Sequence, residues 1–483
     1  MIIIMNKNIF FCLLLFLYLD VSAQQWEQTG IITGGGFYGL LYTYMNDNGT
    51  IVASGNTLAD GENGIFNVFQ YDEAGSWNQL GFDFEVPDSY SQMCYYTLNS
   101  SGNRVALAYM KYPNYGNGIL IRVFEYNGSS WEQLGADIIG DERLVRSLSF
   151  NLEGNRLLVN KYDIAAQRYK VEIYEYNGIS WGEQQEIEGL ENSYISAYSC
   201  DGSTIAGAYY QESSDDLSDI HVYTYNGNEW VQKGNTITGF VSDFNLRAGI
   251  SFNSNGNIIA IGDPNKTSSS NTDDPGHVYV YSYSENTDTW EPMGQVLEGE
   301  QVWDKFGHSV NLNADGSRIL ISAPSSNNWM GKVKAYDYDA TTGSWLQIGE
   351  DIEVIDSPYY YFGTSLCLSE DGKHIAVGAT TEQTPYTGRV YTFKLEDEMN
   401  VAEILPKATI VLYPNPVKEV LYFTGKENIR SIQVFDLNGK LLITKQTDNQ
   451  SFSELNVVNL QKGVYLVRIT STEQVHEFKI MKQ

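Results

Sequence analysis

Positive charge is scarce in this chain. Against 60 Asp and Glu there are 30 Lys and Arg, which leaves a formal net charge of −30 over 483 residues. Nucleic-acid binding needs the reverse, because affinity for a phosphate backbone comes from clustered Lys and Arg. That class is excluded, and the acidity reads as the soluble surface of a secreted protein. Histidine is scarce too, at five, and no two are spaced as metal ligands. Neither His-Glu-x-x-His nor Gly-x-Ser-x-Gly occurs, so no metal centre or serine nucleophile is read from motifs. The four cysteines lack any Cys-x-x-Cys spacing. Cys94, Cys200 and Cys367, each a few residues before a glycine, are expected as buried free thiols at related positions of separate repeats. Long apolar runs are also missing. The one near the start, IFFCLLLFLYL, is too short to span a bilayer. With Lys7 before it and Val21-Ser22-Ala23 after it, residues 1–23 read as a secretory signal peptide, and no transmembrane segment is expected in the mature chain.

What the chain has in abundance is tyrosine, 35 residues, and repetition. The stretch VFEYNGSSW ending at Trp131 returns as IYEYNGISW at Trp181 and VYTYNGNEW at Trp230. Looser copies end at Trp77, Trp290 and Trp345, and Trp26 stands alone near the start. A second marker keeps step with the first, a small or acidic residue followed by glycine, at Gly49, Gly102, Gly154, Gly202, Gly256, Gly316 and Gly372. Seven copies of two markers about 50 residues apart define a repeat architecture. Within each copy four runs alternate apolar and polar residues and are rich in Val, Ile, Tyr and Phe, the pattern of half-buried strands. The Asp-Gly or Asn-Gly pairs supply the positive φ of tight hairpins.

Four antiparallel strands per repeat describe a β-propeller blade. QWEQTG at the start reads as a fourth strand lacking its first three. FGTSLCLS, HIAVGAT and RVYTFKLE read as three strands lacking a fourth, so the N-terminal strand is expected to close the ring. The expected fold is all-β, a seven-bladed propeller over 24–396, with the repeated Trp packing between neighbouring blades. The repeats are similar to those of WD40-like and FG-GAP-like propellers, through LSEDGKHIAVGA at Leu368–Ala379 and FGHSVNLN at Phe306–Asn313. They depart from those families in lacking a Trp-Asp strand ending and an Asp-x-Asp-x-Asp-Gly calcium loop.

Charge marks a boundary. Residues 24–403 hold 19 Lys and Arg against 52 Asp and Glu, whereas 404–483 hold 10 against 7. A linker over 397–407 is expected to lead into a small Ig-like β-sandwich over 408–483. This last segment resembles the type A C-terminal sorting domain of the type IX secretion system of Gram-negative bacteria. The resemblance rests on Tyr413-Pro414-Asn415-Pro416, the hairpin VFDLNGKLL with Gly439 at its turn, and LQKGVYLVRI with Gly463. It implies export through the periplasm to the outer cell surface or beyond, with the type IX machinery as partner.

Catalytic residues are not read from this sequence. Binding has better support in the irregular linkers, where function tends to reside. Trp303 and Trp329 lie off the repeat, both in linkers of the sixth copy on the same expected face. Tyr112, Tyr115, Tyr209, Tyr210, Tyr359, Tyr360 and Tyr361 occupy comparable linkers elsewhere. Aromatic rings beside Asp and Asn suit an extracellular glycan or protein through stacking and directional hydrogen bonds. The acidic loops ESSDDLSD and SSNTDDPG offer oxygens to Ca²⁺ but lack calcium-loop spacing. They are expected as solvated loops, with no cofactor. The expected function is a secreted or surface-attached binding protein. The alternative is a carbohydrate-active enzyme, a glycosidase or lyase, on the same scaffold, which carboxylates or arginines clustered at the central channel would favour.

Overall fold

The computed structural model describes residues 24–33, 41–56, 65–87, 90, 92–111, 118–142, 144–209, 218–240, 249–264, 275–354, 360–380, 388–396, 410–413, 417–436, 439–472 and 475–482. The signal peptide and the linker read from sequence lie outside them. The chain divides into two compact units, one of Ala23–Glu396 and one containing Asp397–Gln483.

The larger unit contains seven antiparallel sheets of four or five strands. The sixth is typical. Val310–Leu312 pairs with Arg318–Ala323, that strand with Lys332–Asp339, and Lys332–Asp339 with Ser344–Gln347. The seventh joins the two ends of the repeat region. Tyr360–Leu368, His374–Thr380 and Arg389–Glu396 are completed by Gln25–Ile32, which pairs antiparallel with Arg389–Glu396 from Gln25↔Glu396 to Ile32↔Val390. Three sheets differ from the four-strand expectation. Ile138–Gly140, Ile237–Phe240 and Leu297–Glu298 each add to the third strand beyond the fourth.

Two devices join neighbouring sheets, at opposite edges. At the outer edge of four junctions, a tryptophan heads the fourth strand and donates its indole N–H to a carbonyl of the preceding sheet. Trp131 reaches Leu80 O at 2.7 Å, Trp181 Leu134 O at 2.9 Å, Trp290 Lys233 O at 2.8 Å and Trp345 Met293 O at 2.8 Å. The accepting residue is always followed by glycine, and the ring lies on it. A Cβ on Gly81 (φ +84°) would come within 2.5 Å of Trp131 Cδ1, so only glycine admits the contact. A tyrosine of the adjoining strand covers the ring, as Tyr126 does at 5.2 Å from Trp131.

At the inner edge, every first strand ends in Asn or Ser: Asn46, Asn99, Asn151, Ser199, Asn253, Asn313 and Ser369. Each side-chain oxygen accepts the N–H that opens the second strand, at 2.8–2.9 Å. These caps are buried. The turn glycine of the following sheet packs on them: a Cβ on Gly316 (φ +74°) would meet Asn253 and Ile258. Backbone bonds then run from turn to turn. Asp47 N–H donates to Ser100 O, Leu152 to Cys200 O, Asp201 to Ser254 O, Ser254 to Ala314 O, Ala314 to Glu370 O and Glu370 to Asp47 O, all at 2.5–3.0 Å. The last of these returns to the first sheet, so the sheets follow one another in a cycle. The arrangement is β-propeller-like.

The cysteines differ from expectation. Cys200 and Cys367 are free but only partly buried. Cys200 directly follows its capping Ser199 whereas Cys367 precedes Ser369 by two positions, so they are not equivalent in the repeat. The side chain of Cys94 lies outside the described residues.

In the smaller unit, Val420–Phe435 forms a long hairpin with Leu441–Asn456. Its first half also pairs with Ile410–Tyr413 and its second half with Gly463–Ser471, whose other side takes Val475–Lys482. Pairing irregularities between Thr424 and Ser431 let the long strand bend. Ile410, Leu421, Phe423, Ile432, Val434, Val467 and Ile469 form its core.

If the indole joints hold the ring, Trp345→Ala and Trp131→Ala should each cost about 3–5 kcal/mol. Urea unfolding of the full chain measures this. A loss comparable to that of an exposed residue such as Ile179 would remove the joint from the account.

Candidate functional site

Trp303 and Trp329 come together on two neighbouring loops of the sixth sheet. The carbonyl of Asp304 accepts the N–H of Ser325 at 3.2 Å, which ties the loop entering the sheet to the loop between its second and third strands. Both indoles face solvent, Trp303 at 52% exposure and Trp329 at 48%. Lys305 Nζ lies 5.9 Å from the ring centre of Trp303, and Tyr361 meets Trp329 edge-on at 5.5 Å. Asn327 Nδ2 donates to Glu353 Oε1 at 2.6 Å.

The backbone here is strained. Among the described residues nine non-glycine positions have positive φ, and six of them belong to this cluster: Trp303, Lys305, Asn327, Asn328, Trp329 and Tyr361. Asn327, Asn328 and Trp329 form a left-handed turn, which costs on the order of 1–2 kcal/mol per residue relative to the right-handed form. Strain of this kind collects at ligand sites, where side-chain direction matters more than backbone comfort.

An ion cluster lies under these loops. Lys332 and Lys334, both buried, open the third strand of the sixth sheet. Glu300 binds both ammonium groups, Lys332 at 2.6 Å and Lys334 closely, and Asp351 lies 3.2 Å from each. Hydrogen bonds from Lys332 and then Lys334 hold the Glu300 carboxyl down at about 2. Burial pushes Asp304 the other way, upward, with Glu300 adding to the effect.

A second convergence was not legible in the sequence. Asp47, Cys200 and Glu370, from the turns of the first, fourth and seventh sheets, place their donor atoms within 4.8 Å of one another. Ser100 Oγ lies 3.2 Å from Cys200 Sγ, and Ser254 Oγ donates to Glu370 Oε1 at 3.2 Å. Burial, and then the charge of Glu370, raise the Asp47 carboxyl to about 6. Burial raises the Cys200 thiol to about 12, which keeps it protonated at neutral pH. Among the described residues no group of metal-ligating donors includes a histidine.

The other sequence-derived positions divide as follows. Tyr112, Tyr115, Tyr210 and Tyr359 lie outside the described residues, as do Pro414, Asn415, Pro416 and most of both acidic loops. Tyr209 ends the strand Thr204–Tyr209 and Tyr360 begins Tyr360–Leu368, with side chains outside the description. Of the three consecutive tyrosines 359–361, Tyr361 reaches the Trp329 ring. Tyr413 is 46% exposed and packs on Tyr422 at 5.7 Å. Gly439 adopts φ +82° in a turn where its N–H donates to Asp436 O at 3.0 Å. Gly463 opens its strand opposite Lys482.

Residues 411–483 match the family described as the secretion system C-terminal sorting domain. The domain indicates type IX export to the cell surface and implies contact with the type IX machinery. No helix among the described residues is long and apolar enough to cross a membrane. No curated protein matches the chain significantly. Among solved structures, a chain of the mitotic checkpoint complex is similar, with TM-score 0.50 and 14% identity over 77% of this chain and 96% of that one. At that identity the likeness concerns fold alone. Hydrazine synthase of Kuenenia stuttgartiensis is also matched, with TM-score 0.49 and 11% identity, over 72% of this chain and 96% of that one. The β-propeller domain of the Trilobed protease of Pyrococcus furiosus gives TM-score 0.43 and 12% identity, over 75% of this chain and all of that one.

The two carboxyl clusters predict opposite pH behaviour. Glu300 is depressed from 4.5 to about 2, so its stabilisation is complete above pH 4.5 and is lost as pH falls through 2. Asp47 is raised from 3.8 to about 6, so the folded state holds an extra proton between those values and loses stability as pH rises through them. Melting curves between pH 3 and pH 8 should show Glu300→Gln lowering Tm most at neutral pH. Asp47→Asn should raise Tm at pH 7 and lose that advantage near pH 4. Parallel profiles for the two variants would contradict both assignments.

Proposed function

We propose that the protein is a secreted or surface-attached binding protein. Its larger unit is a seven-bladed β-propeller that presents the Trp303–Trp329–Tyr361 patch to an extracellular glycan. A sorting domain of Ig-like β-sandwich form, following residue 407, directs export. The supporting observation is the pair of half-exposed indoles held outward by left-handed, non-glycine backbone. Buried aromatic packing needs no such strain, whereas a stacking surface for sugar rings needs indole faces turned to solvent. Asn327, Glu353 and Lys305 supply hydrogen-bonding groups around the rings.

A second reading, a carbohydrate-active enzyme, draws on the Asp47–Glu370 pair, whose raised Asp47 carboxyl suits a general acid. The hydrogen bonds from Ser254 to Glu370 and between Ser100 and Cys200 fill the space between these groups, which weakens it.

A glycan and extracellular-protein array probed with the full chain tests the proposal. Trp303→Ala and Trp329→Ala should each weaken a glycan hit by about tenfold or more with Tm unchanged. Glycan binding indifferent to both changes would discard the patch. A protein hit lost in the variants would keep the patch and change its ligand. Glycan hydrolysis or elimination abolished by Asp47→Asn would favour the enzyme instead.

A further inference from the structure

The joint between the seventh and first sheets departs from the indole-to-carbonyl pattern in its own way. Trp77 donates not to a main-chain carbonyl but to Thr392 Oγ1, at 3.0 Å, and Thr29 Oγ1 donates to the same oxygen at 3.0 Å. The closing strand Gln25–Ile32 slips register between Gln28 and Gly30, while the indole still rests on Gly30. The inner filling also differs. At three other junctions a cation crosses to the next turn, Arg104 to Gly154 O at 3.0 Å, Lys233 to Gly256 O at 2.8 Å and Arg318 to Gly372 O at 2.7 Å. Here the residue equivalent to Arg104 and Arg318 is His374, packed against Gly49. Its buried Nδ1 faces Asp371, 3.8 Å away.

The result is a cleft of about 420 Å³, within the range of small-molecule sites. Tyr71 and Trp77, with centroids 5.1 Å apart, provide an aromatic wall. Glu27, Lys394 and Glu396 line the opposite side. Their register, Gln25↔Glu396 and Glu27↔Lys394, places all three on one face of the sheet. They are exposed and make no ion pair among the described residues.

We propose that this seam cleft is a binding site for a neutral saccharide of one or two rings, distinct from the tryptophan patch. Its lining mixes acceptors, Glu27 and Glu396, with donors, Lys394 and His374, beside an aromatic wall. Hydroxyl groups use both kinds of partner and a sugar's C–H face uses the wall, whereas a lone ion would meet opposing charges.

Calorimetric titration of the full chain with glucose, galactose, N-acetylglucosamine, cellobiose and lactose, alongside charged glucosamine and glucuronate, tests this. Saturable binding of at least one neutral sugar is expected, with the charged sugars weaker. The double variant Glu27→Gln/Glu396→Gln should weaken it by at least about tenfold. Its two side chains are exposed, so Tm should be unchanged, and Trp303→Ala should bind as the parent does. No saturable binding by any neutral sugar, preference for a charged one, or binding lost in Trp303→Ala yet kept in the double variant would each overturn the proposal.

Discussion

The larger unit depends on one contact repeated at four of its junctions: an indole N–H donated to a carbonyl of the preceding sheet, with the ring resting on the glycine after that carbonyl. A four-stranded sheet alone cannot bury both its faces, so each gains stability chiefly from its neighbours. The indole joint sets the spacing of adjacent sheets at the outer edge. The Asn or Ser cap, touching the next turn glycine, sets it at the inner edge. Two fixed separations define an angle, and a constant angle from sheet to sheet returns the chain to its start. Glycine stands at both contacts because the approach leaves no room for a Cβ.

Regularity of this kind makes departures from it informative. At the junction of the third and fourth sheets the position four residues after Trp181 is Gln185 rather than glycine. There Tyr223 takes over, its hydroxyl donating to Gly189 O at 3.1 Å. That exception replaces one structural joint by another. The seam and the sixth-sheet loops are of a different kind, since each leaves polar or aromatic groups facing solvent beside the contacts between sheets.

The sequence carried the repeat plainly, because tryptophan and turn glycine recur as local spacings and hairpin chemistry is local. The closing strand was legible for the same reason, as an unpaired fourth strand facing an unpaired third. Glycine four residues after Trp26, Trp77, Trp131, Trp230, Trp290 and Trp345 was equally visible, but its partner belongs to the next repeat, so its role was not. Asp47, Cys200 and Glu370 are separated by more than 150 residues along the chain and meet only through the cyclic order of the sheets. Pattern also placed Trp303 and Trp329 in neighbouring loops. The left-handed backbone that turns them outward had no signature, since Asn327-Asn328 reads as an ordinary turn and a Trp at positive φ is not anticipated from residue type.

Scarcity of positive charge acquires a structural meaning once the cations are located. Lys161, Lys233, Lys332 and Lys334 are all buried. Lys161 is held by Glu142 at 2.8 Å and Glu172 at 2.7 Å, Lys233 bonds across a joint to Gly256, and the other two bind Glu300 and Asp351. Arg104 and Arg318 also span joints, each anchored by a carboxylate of its own sheet, Glu125 and Asp337. Part of a small cation supply is thus committed to buried pairs and to joints between sheets, and most other carboxylates remain at the surface. The acidic excess of the composition therefore stays at the solvent-facing surface. Anionic polymers are repelled over roughly a Debye length, about 8 Å at physiological salt, before any loop is reached. Neutral ligands escape that penalty and can be selected by stacking and hydroxyl bonding alone, the interactions offered by the tryptophan loops and by the seam.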